Sequence, residues 1–148
     1  SGPGSPVPPG DFVAAHPPQR AQRSAVEISA NLGRPDASIL IDVRAPERYS
    51  GESERVDPVA GHIPGAINLP ASAMQDAVGH FLTPAEIATL YADAGGTDNA
   101  VLYCGSGVTA AQSLLGLESA GLTAAIYPGS WSDWITDPTR PITTGRNP

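Results

Sequence analysis

A single cysteine, Cys104, stands in a chain of 148 residues. No internal disulfide can form, so a reduced, cytoplasmic setting is the default expectation. Ligand spacing for zinc is also missing, because the three histidines (His16, His62 and His80) are scattered and only one thiol could join them. No metal and no cofactor is expected. Basic residues are scarce, eight against fifteen acidic ones, and the net charge of -7 argues against nonspecific nucleic-acid binding. No apolar run approaches the length of a membrane span. The N-terminus lacks a basic region followed by an apolar one, so neither a membrane anchor nor a secretory leader is expected. No internal repeat is visible.

Hydrophobic residues nevertheless make up 41% of the chain. That is enough for one globular domain with a real core. Residues 1–20 hold six prolines and three glycines and read as a linker or extended arm. The domain is expected over residues 21–148. Ala21 to Leu32 reads as a short helix ended by Gly33, and Ser38 to Val43 as a central parallel strand. Gly51 to Gly61 is polar and reads as a loop carrying Arg55 and Asp57. The turn at Gly61-His62-Ile63-Pro64-Gly65 precedes a short strand, Ala66 to Leu69, broken by Pro70. Thr83-Pro84-Ala85-Glu86 is a capping box for a helix running to about Ala94. Ala100 to Tyr103 reads as a buried strand, Thr109 to Ala120 as a helix, Ala124 to Tyr127 as a strand and Trp131 to Ile135 as a short helix. Trp131 and Trp134 are expected in the core. Strands alternating with helices give an α/β class with a mostly parallel sheet.

Cys104 lies where these patterns converge, at the end of a strand, on a turn with Gly105, Ser106 and Gly107, at the mouth of a helix. A lone cysteine is commonly a small buried hydrophobe. Here, strand C-termini are where open α/β sheets bind ligands, and helix N-termini favour anions such as a thiolate. The glycines let the backbone approach a ligand closely. A nucleophilic role is the stronger reading.

Four signals occur in order: Asp42-Val43-Arg44, then Gly61 to Ala66, then the Cys104 loop, then Gly129-Ser130-Trp131 with Trp134. Together they resemble the rhodanese family of sulfurtransferases over about residues 21–145. The loop from Cys104 through Val108 to Thr109 is most similar to that of 3-mercaptopyruvate sulfurtransferases, in the catalytic half of two-domain members. The resemblance implies a five-stranded parallel sheet with helices on both faces. It also implies a Cys104 persulfide that passes sulfur from 3-mercaptopyruvate or thiosulfate to cyanide or a thiol.

In that reading Cys104, Gly105, Ser106, Gly107, Val108 and Thr109 form a cradle for an anionic sulfur. Ser106 matches a serine assigned to proton transfer, and Arg48 and Arg55 match substrate-binding arginines. A guanidinium fork suits a carboxylate. Asp42 and Arg44 read as a structural ion pair, and His62 as a packed turn residue. The two-domain members carry an N-terminal rhodanese domain for which 148 residues leave no room. A non-turnover sulfur carrier that needs such a partner is therefore the alternative. A cysteine phosphatase is disfavoured, because the position six residues after Cys104, where that chemistry needs an arginine, is Ala110.

Overall fold

The computed structural model describes Asp11 and residues 20–148. The rest of the proline-rich stretch expected to be a linker lies outside the described residues. Four parallel strands, β1 (Ile39–Asp42), β2 (Ile67–Asn68), β3 (Ala100–Tyr103) and β4 (Ala125–Ile126), form one sheet in the order β2-β1-β3-β4. The helices are α1 (Ala25–Asn31), α2 (Pro46–Ser50), α3 (Pro84–Asp93), α4 (Val108–Ser119) and α5 (Ser130–Trp134), with a 3-10 turn at Ala71–Met74.

The expected fifth strand is not formed among the described residues. The edge beyond β4 is filled by Ala21 to Arg23, which makes one parallel bridge between Gln22 and Ile126. Its two hydrogen bonds are Ile126 N–H to Ala21 O (3.0 Å) and Arg23 N–H to Ile126 O (2.9 Å). Ser24 then ends the extension by capping α1, its Oγ accepting from Glu27 N–H while Glu27 Oε2 accepts from Ser24 N–H at 2.8 Å. The helix expected from Ala21 therefore starts at Ala25, because extended and helical backbone meet at the cap.

Alternation along the strands splits the core into two layers. Ile41, Leu102, Cys104 and the apolar sides of α3, α4 and the 3-10 turn make one cluster. Leu40, Val101, Tyr103, Tyr49 of α2, Ile28 of α1 and Trp131 and Trp134 of α5 make the other. Helices thus cover both faces. The chain leaves β1 in one direction to form β2 and returns on the other side of β1 to form β3. The strand order reverses between β1 and β3, and a crevice opens at such a switch point, beyond the strand C-termini.

Helix α2 was not among the elements expected from sequence. Pro46 occupies its first turn, and Gly51 ends it at φ 80°, donating its N–H to Arg48 O at 3.3 Å. Those are ordinary start and stop signals, hidden in a segment too short to show periodicity. Gly61 is needed for a different reason. At φ +118° a Cβ there would lie 2.4 Å from Thr143 O, where the C-terminal segment crosses and pairs with His62. Among the described residues no helix is long and apolar enough to cross a membrane.

Candidate active site

Cys104 directly follows β3 and lies beside the end of β1, where Asp42 pairs in register with Tyr103. Its residue is 3% exposed and its thiol is free. Gly107 N–H points at Cys104 Sγ at 3.2 Å. Gly107 is also the N-cap of α4, at φ 85°. The donated N–H and the positive end of a twelve-residue helix both favour an anion on this sulfur. A Cβ on Gly107 would stand 2.4 Å from Pro128 O, so the loop and the turn after β4 fit only with glycine here.

The base of the loop is held from behind. Cys104 N–H donates to Ser130 Oγ (3.1 Å), and Ser130 Oγ donates to Tyr127 O (2.9 Å). Ser130 is fully buried at φ 56°, the one described non-glycine residue with positive φ. Cys104 O and Gly105 O accept from Trp131 N–H and Ser132 N–H at 3.0 and 2.9 Å.

The other wall is built from side-chain charge. Asp42 takes Arg44 in a fork, with Nη2 to Oδ2 at 2.6 Å and Nε within 3.1 Å of both oxygens. Both groups are buried. Burial by itself would make Arg44 easier to deprotonate, but the hydrogen bond and charge of Asp42, together with Tyr103 and Glu54, more than reverse this and hold its pKa above the ordinary value. Arg44 also donates to Gly61 O (2.7 Å) and lies 4.9 Å from the centroid of the Trp131 ring. Glu54 joins Arg44 (3.5 Å) to Arg48, whose Nε reaches both Glu54 oxygens at 3.0 and 3.1 Å. Burial pushes the Glu54 carboxyl up. Hydrogen bonds from Arg48 and from the N–H groups of Val56 and Asp57 outweigh it, and the group sits below the usual carboxylate range. Arg48 Nη2 then meets Asp57 Oδ2 at 3.0 Å, and Asp57 Oδ1 accepts from Ser132 Oγ at 2.7 Å.

Arg48 therefore reaches the cysteine loop. Its Nη1 and Nη2 lie 3.5 and 3.6 Å from where a Cβ on Gly105 would stand. Ser106 is exposed at the loop tip, Val108 is exposed on the first turn of α4, and Thr109 is half-buried beside it. The Ser106 and Thr109 hydroxyls make no hydrogen bond among the described residues. Arg55 is exposed between Glu54 and Val56, with no ion pair among the described residues. His62 is fully buried, stacked on Tyr49 at 3.8 Å, with Nδ1 2.8 Å from Tyr49 O. Position 110, six residues after the cysteine, is a fully buried alanine. Glu54, Asp57, Ser130 and Ser132 are site residues to which sequence reading gave no role, although Asp57 was noted on its loop and Ser130 within the Gly129-Ser130-Trp131 signal. Glu54 and Asp57 lie in a polar stretch that a solvated loop resembles equally well, and Ser130 and Ser132 lie in the short helix α5. No cluster of three or more metal-ligating side chains occurs among the described residues.

The rhodanese-like domain family matches residues 24–137, which contain all of these groups. The chain belongs to the rhodanese family. The "Probable 3-mercaptopyruvate sulfurtransferase" of Pseudomonas aeruginosa is 43% identical over 141 residues, covering 93% of this rhodanese and 49% of that protein. The thiosulfate sulfurtransferase of Corynebacterium glutamicum is 38% identical over 140 residues, covering 85% and 45%. The rhodanese described here thus spans about half the length of the curated relatives it matches. Among solved structures, the anaerobic ergothioneine biosynthesis enzyme of Chlorobium limicola superposes with TM-score 0.74 at 25% identity, covering 84% of this chain and 32% of that one. The Tum1 protein of Saccharomyces cerevisiae superposes with TM-score 0.71 at 20% identity, covering 86% and 47%.

Proposed function

We infer that this chain is the sulfur-transferring half of a 3-mercaptopyruvate or thiosulfate sulfurtransferase, with Cys104 as the sulfur carrier. The Gly107 N–H aimed at Cys104 Sγ at 3.2 Å, with Arg48 against the same loop, carries this reading. The Cys104 thiolate attacks the sulfur of 3-mercaptopyruvate. The carbon–sulfur bond breaks, its electron pair stays with the three-carbon fragment, and protonation there gives pyruvate. With thiosulfate, the sulfur–sulfur bond breaks and sulfite leaves. Cyanide or a thiolate then takes the outer sulfur of the Cys104 persulfide, and the bonding pair returns to Sγ as thiolate. The Gly107 N–H and the α4 terminus stabilise the sulfur anion at both stages. Arg48 and Arg55 are assigned to the anionic end of the donor, and the unengaged hydroxyl of Ser106 to proton delivery.

The phosphatase alternative gains nothing from the site, because position 110 points into the core and the loop supplies no cation of its own. A carrier domain without turnover is favoured by one fact: the chain covers only 49% and 45% of the two sulfurtransferase relatives. The deciding experiment is a cyanide assay with each donor, using Cys104→Ser as control. Turnover lost in Cys104→Ser supports the enzyme. A Cys104 persulfide detected by mass spectrometry without turnover supports the carrier, and activity retained by Cys104→Ser overturns both.

A further inference from the structure

Arg48 does not offer an open fork in this structure. Its Nε is taken by Glu54, and its Nη2 by Asp57 at 3.0 Å. Only Nη1 lacks an acceptor among the described residues. The guanidinium faces the backbone of Gly105, next to the cysteine. Asp57 is not a loose surface carboxylate. Its side chain is 7% exposed, and its second oxygen accepts from Ser132 Oγ at 2.7 Å. Ser132 in turn donates its N–H to Gly105 O, so Asp57 is fixed to the wall of the cysteine loop. A bidentate grip on a substrate carboxylate would use adjacent guanidinium nitrogens. Asp57 already takes one N–H of Nη2.

The network contains two guanidiniums, Arg44 and Arg48, against three carboxylates, Asp42, Glu54 and Asp57. It therefore brings no net positive charge to a site that is to bind an anion. Asp42 and Glu54 are the deep members, buried and tied to Arg44. Asp57 touches Arg48 alone among the arginines, on the side of the loop.

We propose that Asp57 is an internal competitor for the anionic end of the sulfur donor and so sets the charge preference of the site. This rests on the assignment of Arg48 to donor binding. A donor carboxylate meets a guanidinium whose charge Glu54 and Asp57 already offset, and must use the N–H groups they leave or displace Asp57 from Nη2. Donors with more negative charge are held back further, and neutral thiol-directed molecules are not.

An opposite role, in which Asp57 only holds Arg48 in place, predicts the opposite sign when the carboxylate is removed. Alkylation of Cys104 reads that sign without any sulfur transfer. The chain has one cysteine, so the labelled site is unambiguous. Iodoacetate carries a carboxylate and iodoacetamide does not, and the two are otherwise close in size. In Asp57→Asn the ratio of iodoacetate to iodoacetamide rate constants should rise about fivefold at low salt. The rise should shrink at about 1 M salt, where screening falls to a few ångströms. On an Arg48→Gln background most of the gain should disappear. A ratio that falls or stays level in Asp57→Asn overturns the proposal, as does an equal gain without Arg48. Should Asp57→Asn fail to fold by thermal scan, Asp57→Ser carries the same expectation.

Cyanide assays run in parallel separate the two readings. A raised alkylation ratio in a chain that transfers no sulfur upholds the competitor and defeats the transferase. Sulfur transfer without a raised ratio does the reverse. Where both hold, Asp57→Asn lowers KM for 3-mercaptopyruvate more than it changes kcat.

Discussion

The segment after β3 and the segment after β1 meet beyond the ends of these two strands and are built by opposite means. Around Cys104 the working parts are backbone: the Gly107 N–H, the start of α4, and carbonyls tied to α5. From Asp42 to Asp57 they are side chains, a chain of arginines and carboxylates in which each charge answers another. The chain has no lysine, so every cation available to this network is a planar arginine fork. A backbone cradle tolerates side-chain change but not a change of backbone conformation. A charge network tolerates neither the loss of a member nor the loss of its partner. The fragile atoms are therefore different in the two segments, although both serve the same cysteine.

Removing one partner of the deepest pair should have the largest effect. Asp42→Ala leaves buried Arg44 with only the 3.5 Å contact to Glu54 as counter-charge and should cost about 3 kcal/mol of stability, measured by denaturant unfolding. A loss below about 1 kcal/mol would mean that the charges are not truly desolvated.

Next in size is the test of the backbone cradle. Gly107→Ala forces an L-residue into positive φ against Pro128 O, and should cost about 2 kcal/mol. It should also lower sulfur transfer more than stability explains, because the N–H donated to Cys104 Sγ moves. Normal activity in a folded Gly107→Ala protein would remove the cradle from the mechanism.

Acid titration compares the two segments by charge. The folded-state pKa of Glu54 is lowered. Its contribution to stability is therefore present above the unfolded carboxylate value of about 4.3 and lost as pH falls below it. In Glu54→Gln, the fall of the unfolding midpoint between about pH 5 and pH 3 should be shallower than in the unmodified chain. Identical slopes would mean that the Arg48 and backbone hydrogen bonds to Glu54 do not hold in solution.

The smallest change is expected on the cradle's side chains. Ser106→Ala removes an exposed hydroxyl and should alter stability by less than about 0.5 kcal/mol. It should still lower kcat with 3-mercaptopyruvate if Ser106 delivers a proton. Unchanged kcat would release Ser106 from that role.

Legibility in the sequence follows the same division. The strand, Cys-Gly-Ser-Gly turn and helix are contiguous, so Cys104 and Gly107 could be placed from local pattern alone. Asp42 and Arg44 lie two residues apart and could be read as a pair. Glu54 and Asp57 could not be placed, since a carboxylate in a polar loop looks the same whether it faces water or an arginine six or nine residues earlier. Helix α2 escaped because five residues are too few to show a helical period. Ser130 was legible only as part of the Gly129-Ser130-Trp131 signal, and nothing local showed that its hydroxyl accepts the Cys104 N–H across 26 positions. The expected fifth strand was replaced by a single bridge at Gln22, because Ser24 caps a helix two residues later.

By itself, then, the amino-acid order determined the α/β alternation, the four core strands and the cysteine at a helix mouth. These depend on periodicity, caps and glycines, which act over a few neighbouring residues. Only the tertiary structure decided which carboxylates surround Arg48, that His62 lies buried against Tyr49, and that α5 supports the cysteine from behind. Those contacts join residues distant in sequence. Burial and charge pairing exist only once the β1–β3 crossover has brought them together.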